Sequence, residues 1–184
     1  LKSIEIINLL KDPDELFYLY QDFSHLRKYI DDYKVLEEYS KTILCKDYRK
    51  TSNIHLIDKK DLIEPVCEIG CNIGQSYSKL KELYSDVMVM SVDTSKTACD
   101  ITILIANELL QCRLVICKSI IDLNIGMNTY IWEDPHSASD EEYNNIINHI
   151  KSLGNVIYFL DCDNIIHLLD DVKEIGDNCY VWRK

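Results

Sequence analysis

Val66-Cys67-Glu68-Ile69-Gly70-Cys71-Asn72-Ile73-Gly74 is a short apolar run that ends in a glycine turn. Its first four residues have the length and character of a strand buried on both faces. Gly70 and Gly74 stand four positions apart; glycine takes φ values that other residues resist and lets the backbone approach a ligand closely. Residues 75–84 then place Tyr77, Leu80, Leu83 and Tyr84 at helical spacing, so a helix is expected with these four side chains turned inward. The unpaired amides of its first turn face the crevice beyond the strand.

Downstream the same alternation recurs. Residues 87–92 form a second apolar run that ends at Asp93, and Thr94 or Ser95 can cap a following helix through Leu110. Residues 113–117 and 129–132 give a third and a fourth strand. Ser139 and Glu142 make a capping-box pair for a helix that stops at Gly154. Residues 155–160 are a fifth strand, Asp163 or Asn164 opens a helix reaching to about Gly176, and residues 179–182 are a last strand. Apolar strands separated by helices predict a parallel sheet covered on both faces. With right-handed crossovers this is a doubly wound α/β domain, a mostly parallel sheet inside an α/β/α sandwich.

Upstream, residues 1–61 show helical signals and read as an N-terminal helical extension, leaving residues 62–184 as the α/β domain. Asp12-Pro13-Asp14-Glu15 has the form of a helix start, with a cap, proline at the first helical position and acids at the positive end of the dipole. Leu16, Leu19, Tyr20, Phe23, Leu26, Ile30 and Tyr33 then form one apolar stripe. Tyr18, Tyr20, Tyr29, Tyr33, Tyr39 and Tyr48 are expected mainly in cores or interfaces.

The 184 residues carry a formal net charge of -11, which argues against a broad nucleic-acid surface. Lys41, Lys46, Arg49, Lys50, Lys59 and Lys60 allow a modest local basic patch, or simply a solvated face. No apolar run is long enough to span a bilayer, and residues 1–10 read as an amphipathic helix instead of a signal peptide. Six of the eight cysteines, Cys67, Cys71, Cys112, Cys117, Cys162 and Cys179, fall in or beside apolar runs, with no CxxC pair to make a zinc site. Reduced structural cysteines and a cytoplasmic location are therefore expected; a homo-oligomer is compatible with the sequence.

In such a sheet, ligands bind beyond the carboxyl ends of the strands. A carboxylate at Asp93 is placed to accept both hydroxyls of a ribose, as the acid at this point does in dinucleotide folds. A hydride-transfer enzyme is disfavoured, because the turn is GxxxG and not GxGxxG. The segment Glu68-Ile69-Gly70-Cys71-Asn72-Ile73-Gly74, with Asp93, resembles the first two motifs of the class I S-adenosylmethionine-dependent methyltransferases across residues 62–184. Asn72 stands where that family has its middle glycine. The resemblance implies that Glu68, Gly70, Cys71, Asn72 and Gly74 hold the amino-acid end of S-adenosylmethionine. It puts Asp93 and Thr94 at the ribose, and Ser119 and Ile120 at the adenine.

The fourth strand ends in Trp132-Glu133-Asp134-Pro135-His136, which the resemblance places beside the methyl group. Glu133 would border the cofactor, and Asp134 or His136 could accept a proton from an attacking oxygen or nitrogen. The acceptor is expected to be a small molecule in preference to nucleic acid. Two alternatives stand beside this reading. A metal-dependent O-methyltransferase would use Asp134 with Asp161, Asp163 and Asn164 for Mg²⁺, a possibility not favoured because the register is imperfect. A non-catalytic binding or partner subunit is suggested by Asn72, by Ser119 and by a C-terminal end too short for the family's antiparallel hairpin.

Overall fold

The computed structural model describes residues 52–71, 75–96, 99, 100, 102, 103, 114–135 and 139–184. The expected N-terminal helices, most of the helix after Asp93, and the site candidates Asn72, Gly74 and His136 lie outside the described residues. Among those residues, seven strands join in one sheet: β1 (Val66–Ile69), β2 (Val89–Asp93), β3 (Val115–Cys117), β4 (Thr129–Glu133), β5 (Val156–Leu160), β6 (Val172–Gly176) and β7 (Cys179–Arg183). Their order is β3-β2-β1-β4-β5-β7-β6. The pairs from β3 to β5 are parallel, whereas β7 is antiparallel to both β5 and β6.

Side-chain alternation divides this sheet into two faces, each with its own hydrophobic cluster. Cys67, Ile69, Met90, Val92, Tyr130, Trp132, Ile157 and Phe159 point to one side and meet Tyr143, Ile147 and Ile150 of helix α2 (Asp140–Leu153). Val66, Val89, Ile131, Val156, Tyr158 and Leu160 point to the other and meet Tyr77 and Leu80 of helix α1 (Gln75–Leu83). Residues 52–61, two short 3-10 turns, join the second cluster through Ile54 and Ile57. The central strands β1, β2, β4 and β5 are buried along nearly their whole length because both faces are covered, as the sequence predicts for a parallel sheet, whereas β6 exposes Lys173 and Glu174.

The capping box of α2 is present: Ser139 accepts from the Glu142 N–H at 3.3 Å and Glu142 accepts from the Ser139 N–H at 3.1 Å. Such a cap is worth about 1 kcal/mol. In α1, Tyr77 and Leu80 are fully buried, but Leu83 is 40% exposed, contrary to expectation. The carbonyls that close the end of α1 and the loop after it, Ser85 and Val87, are met by Lys81 at 2.8 and 2.7 Å.

The helix expected over 163–176 is corrected. Residues 166–168 make one 3-10 turn, and Val172–Gly176 is strand β6. Ile165, Leu168, Leu169 and Val172 do face the core, which is why their spacing reads as helical. Asp171, at φ 56°, breaks that path, and Asp177-Asn178, with Asn178 at φ 53°, turns β6 back into β7. Asp and Asn tolerate the left-handed region better than other side chains. The antiparallel hairpin is therefore present, and its supposed absence no longer supports a non-catalytic subunit.

Candidate functional site

The carboxyl ends of β1, β2, β4 and β5 lie side by side and carry Glu68, Asp93, Glu133 and Asp161. By alternation Glu68, Ser91, Asp93 and Glu133 share the α1 face of the sheet. Glu68 sits directly across from Ser91 in the register, and Ser91 Oγ donates to its carboxyl at 2.5 Å. The other Glu68 oxygen, Oε1, is buried without a hydrogen-bond partner, alone in this among the described residues. An orphaned oxygen of this kind costs roughly 1–3 kcal/mol. Burial, with smaller repulsion from Glu133 and Asp93, pushes the Glu68 carboxyl up to about 8.

After Glu68 and Ile69 the chain turns at Gly70, whose φ is 71°. The Gly70 and Cys71 amides both return to the Val92 carbonyl, at 2.8 and 3.2 Å. Among the described residues, nothing lies within 4 Å of where a Gly70 Cβ would stand. Among the described residues, then, no side chain or backbone fills the space in front of this left-handed turn. Asp93, at the end of β2, accepts from the Ser95 N–H at 2.7 Å, which fixes the start of the next helical stretch. Thr94 is exposed beside it. Ser119 precedes the 3-10 turn Ile120–Asp122, and Ile120 is buried in the core cluster on the α2 side.

Glu133 is held from three directions. It accepts from Ser52 Oγ at 3.0 and 2.9 Å, from the Asn53 N–H at 2.6 Å and from Ser76 Oγ at the start of α1. Asn53 also reaches Asp161. Ser52 and Asn53 carry no motif by which the sequence would reveal this role; a polar pair just before the 3-10 turn Asn53–Leu56 is the one available signal. Burial raises both the Glu133 and Asp161 carboxyls above their ordinary values, despite the donors that they accept.

The strands β4 and β5 leave the sheet through residues in the left-handed region, Asp134 at φ 50° and Asp161 at φ 49°. The Asp134 N–H donates to the Leu160 carbonyl at 2.8 Å, tying the two exits together. Asn164 donates to the Pro135 carbonyl and lies 3.3 Å from the Tyr143 hydroxyl. No group of three or more His, Cys, Asp or Glu among the described residues is arranged to hold a metal ion, so the magnesium alternative gains no support. Lys59 and Lys60 are paired with Asp86 and Asp58, at 2.7 and 2.8 Å, so these two lysines do not form a free basic patch. Among the described residues, no helix is long and apolar enough to cross a membrane.

An antiparallel β7 between β5 and β6 separates this sheet from the dinucleotide-binding order 3-2-1-4-5-6. Comparison with solved structures agrees. Magnesium protoporphyrin IX methyltransferase (ChlM) from Synechocystis PCC 6803, solved with bound S-adenosylmethionine, matches with a TM-score of 0.56 at 14% identity, over 97% of this chain and 94% of its own. TehB from Haemophilus influenzae matches with a TM-score of 0.51 at 16% identity, over 67% of this chain and 44% of its own. The bifunctional kinase-methyltransferase WbdD gives 0.50 at 12%, over 63% and 34%. This chain has the class I S-adenosylmethionine-dependent methyltransferase fold. The methyltransferase fold is recognised through its shape: no family model and no curated protein matches the sequence.

Proposed function

We propose that this protein is an S-adenosylmethionine-dependent methyltransferase acting on the oxygen or nitrogen of a small molecule. The observation that carries the reading is the orphaned, buried Glu68 oxygen beside the open, left-handed turn at Gly70. That arrangement fits a ligand that brings its own hydrogen-bond donors and must approach the backbone closely. The row of carboxyls at the strand ends adds a preference for a cation. S-adenosylmethionine, when bound, would supply an ammonium, two ribose hydroxyls and an electrophilic sulfonium methyl.

In this reading Glu68 and the turn from Gly70 through Cys71 and Asn72 to Gly74 hold the amino-acid end. Asp93, with Thr94 next to it, accepts the ribose hydroxyls, and Ser119 and Ile120 border the adenine. Glu133, fixed by Ser52, Asn53 and Ser76, gives the cleft a rigid carboxyl wall. Asp134 and His136 face the acceptor, and either can take its proton once the methyl has moved. The displacement is in-line, so the main contribution of the protein is to position the reactants. Residues 62–184 form the cofactor-binding domain, and residues 52–61 of the extension pack onto it through Ile54 and Ile57.

Titration calorimetry with S-adenosylmethionine tests this directly. Binding is expected and Asp93→Ala should abolish it. No heat at millimolar cofactor sinks the reading, and an unchanged affinity in Asp93→Ala means that the ribose lies elsewhere.

A further inference from the structure

Three cysteines that the sequence scatters over 47 positions meet at one corner of the sheet. Cys71 follows β1, Cys99 lies in the helical stretch after β2, and Cys117 ends β3 directly across from Asp93. The Cys99 thiol touches both of the others. It also approaches the Asp93 carbonyl at 3.7 Å, while Cys117 Sγ lies 3.7 Å from the Thr94 carbonyl. Thr102 Oγ1 donates to Cys71 Sγ at 3.5 Å. Accessibility is graded along this row: Cys71 and Cys99 are buried and Cys117 is exposed.

The other described cysteines differ. Cys67, Cys162 and Cys179 are buried among apolar side chains, and burial pushes their thiols up. Cys99 moves the opposite way, because a hydrogen bond from Cys71, helped by Cys117, outweighs its burial. The same bond, together with burial, raises Cys71, so Cys71 is the donor of the pair. An accessible thiol in contact with a second, buried thiol is the arrangement of an oxidisable cysteine with a resolving partner.

We propose that Cys117 and Cys99 form a modification site for hydroperoxides, in which oxidation of the exposed thiol closes a disulfide to the buried one. The Cys117 sulfur attacks one oxygen of the hydroperoxide; the S–O bond forms, the O–O bond breaks, and an alcohol (or water, for hydrogen peroxide) leaves. Cys99 sulfur then attacks the sulfenic sulfur of Cys117; the S–S bond forms, the S–O bond breaks, and the hydroxide leaves as water with the proton of Cys99. In total two thiols and one hydroperoxide give one disulfide, one alcohol and one water, the sulfurs losing two electrons and the peroxide gaining them. The bond ties the end of the edge strand β3 to the helical stretch that begins behind Asp93. This site goes beyond the methyl-transfer reading and does not depend on it.

The full chain should be treated with hydrogen peroxide under native conditions, then blocked, digested and mapped by mass spectrometry. The expected product is a Cys99–Cys117 crosslinked peptide, lighter by two hydrogens and restored by dithiothreitol, with Cys67, Cys162 and Cys179 still reduced. Cys117→Ser should abolish the crosslink and leave Cys99 reduced at the same dose, while Cys71→Ser should retain it. Circular dichroism of both variants verifies that they fold. Failure to crosslink in folded wild-type protein overturns the proposal, as does a dominant disulfide that joins any other pair.

Discussion

Asn53 donates its side-chain amide to Asp161 at 2.6 Å while its own backbone N–H donates to Glu133, also at 2.6 Å. One residue thereby bridges the exits of two neighbouring strands. Asn53→Ala removes the first bond and keeps the second. Since Asp161 is only partly buried and can be rehydrated, the expected loss is about 1 kcal/mol. Asn53→Asp should cost more, because it sets a third carboxylate against Asp161 and Glu133. Urea unfolding of the three proteins measures this; equal midpoints would mean that the bridge contributes nothing.

Glu68 makes stability depend on pH. Its folded value of about 8 lies above the ordinary 4.5. Between those values the folded state holds a proton that the unfolded chain releases, so folding weakens as pH rises through that window and levels off above it. The span corresponds to a change on the order of a few kcal/mol. Glu133 and Asp161 are shifted in the same direction and add to the slope. In Glu68→Gln the fall in Tm from pH 5 to pH 8 should be clearly shallower than in wild type. An identical slope would assign the titration to other groups.

If the cleft binds S-adenosylmethionine, the same carboxyl must give up its proton to face an ammonium. Cofactor affinity should then rise with pH up to about 8, and binding should release protons near neutrality. Calorimetry in two buffers of different ionisation enthalpy detects the release. Heats independent of the buffer would remove Glu68 from the amino-acid end.

Gly70→Ala separates folding from binding. A Cβ at φ 71° costs about 1–2 kcal/mol in backbone strain, and no described residue stands close enough to clash with it. The variant should therefore fold with a modestly lower Tm. Its affinity for S-adenosylmethionine should nevertheless fall at least tenfold, because the methyl group projects into the space assigned to the cofactor. Undiminished affinity would place the cofactor away from this turn.

The strands β1 to β5, the capping box of α2 and the left-handed turn at Gly70 were legible in the sequence because each rests on local chemistry: an apolar run, a Ser–Glu spacing, a glycine. The β6–β7 hairpin was not. Ile165, Leu168, Leu169 and Val172 have helical spacing because they leave a turn and enter an edge strand on the same side of the core, and two positive φ angles at Asp171 and Asn178 decided the path. In the candidate site, Glu68 and Asp93 could be picked out as acids at strand ends. The partners Ser52, Asn53, Ser76 and Ser91 could not, since they reach their carboxyls over long sequence separations. The thiol row has no sequence signature for the same reason: Cys71, Cys99 and Cys117 are brought together only by strand order.

Asn178 provides a check on that corrected hairpin. Its φ of 53° suits Asn or Gly. Asn178→Val should lower stability by about 1–2 kcal/mol, whereas Asn178→Gly should be close to neutral. Equal effects of the two substitutions would show that the turn relaxes freely.

The position of β7 also constrains how the molecule is made. β6 is synthesised first, yet in the sheet it touches β7 and not β5. A nascent chain emerging from the ribosome can assemble β1 to β5 in succession, but β6 has no place to dock until the residues after it have appeared. Until then β5 presents an open, apolar edge, Val156–Leu160, to whatever else is nearby. β7 thus acts as the keystone of the sheet: until it is in place, the β5 edge is left open to mispairing with another copy of the chain.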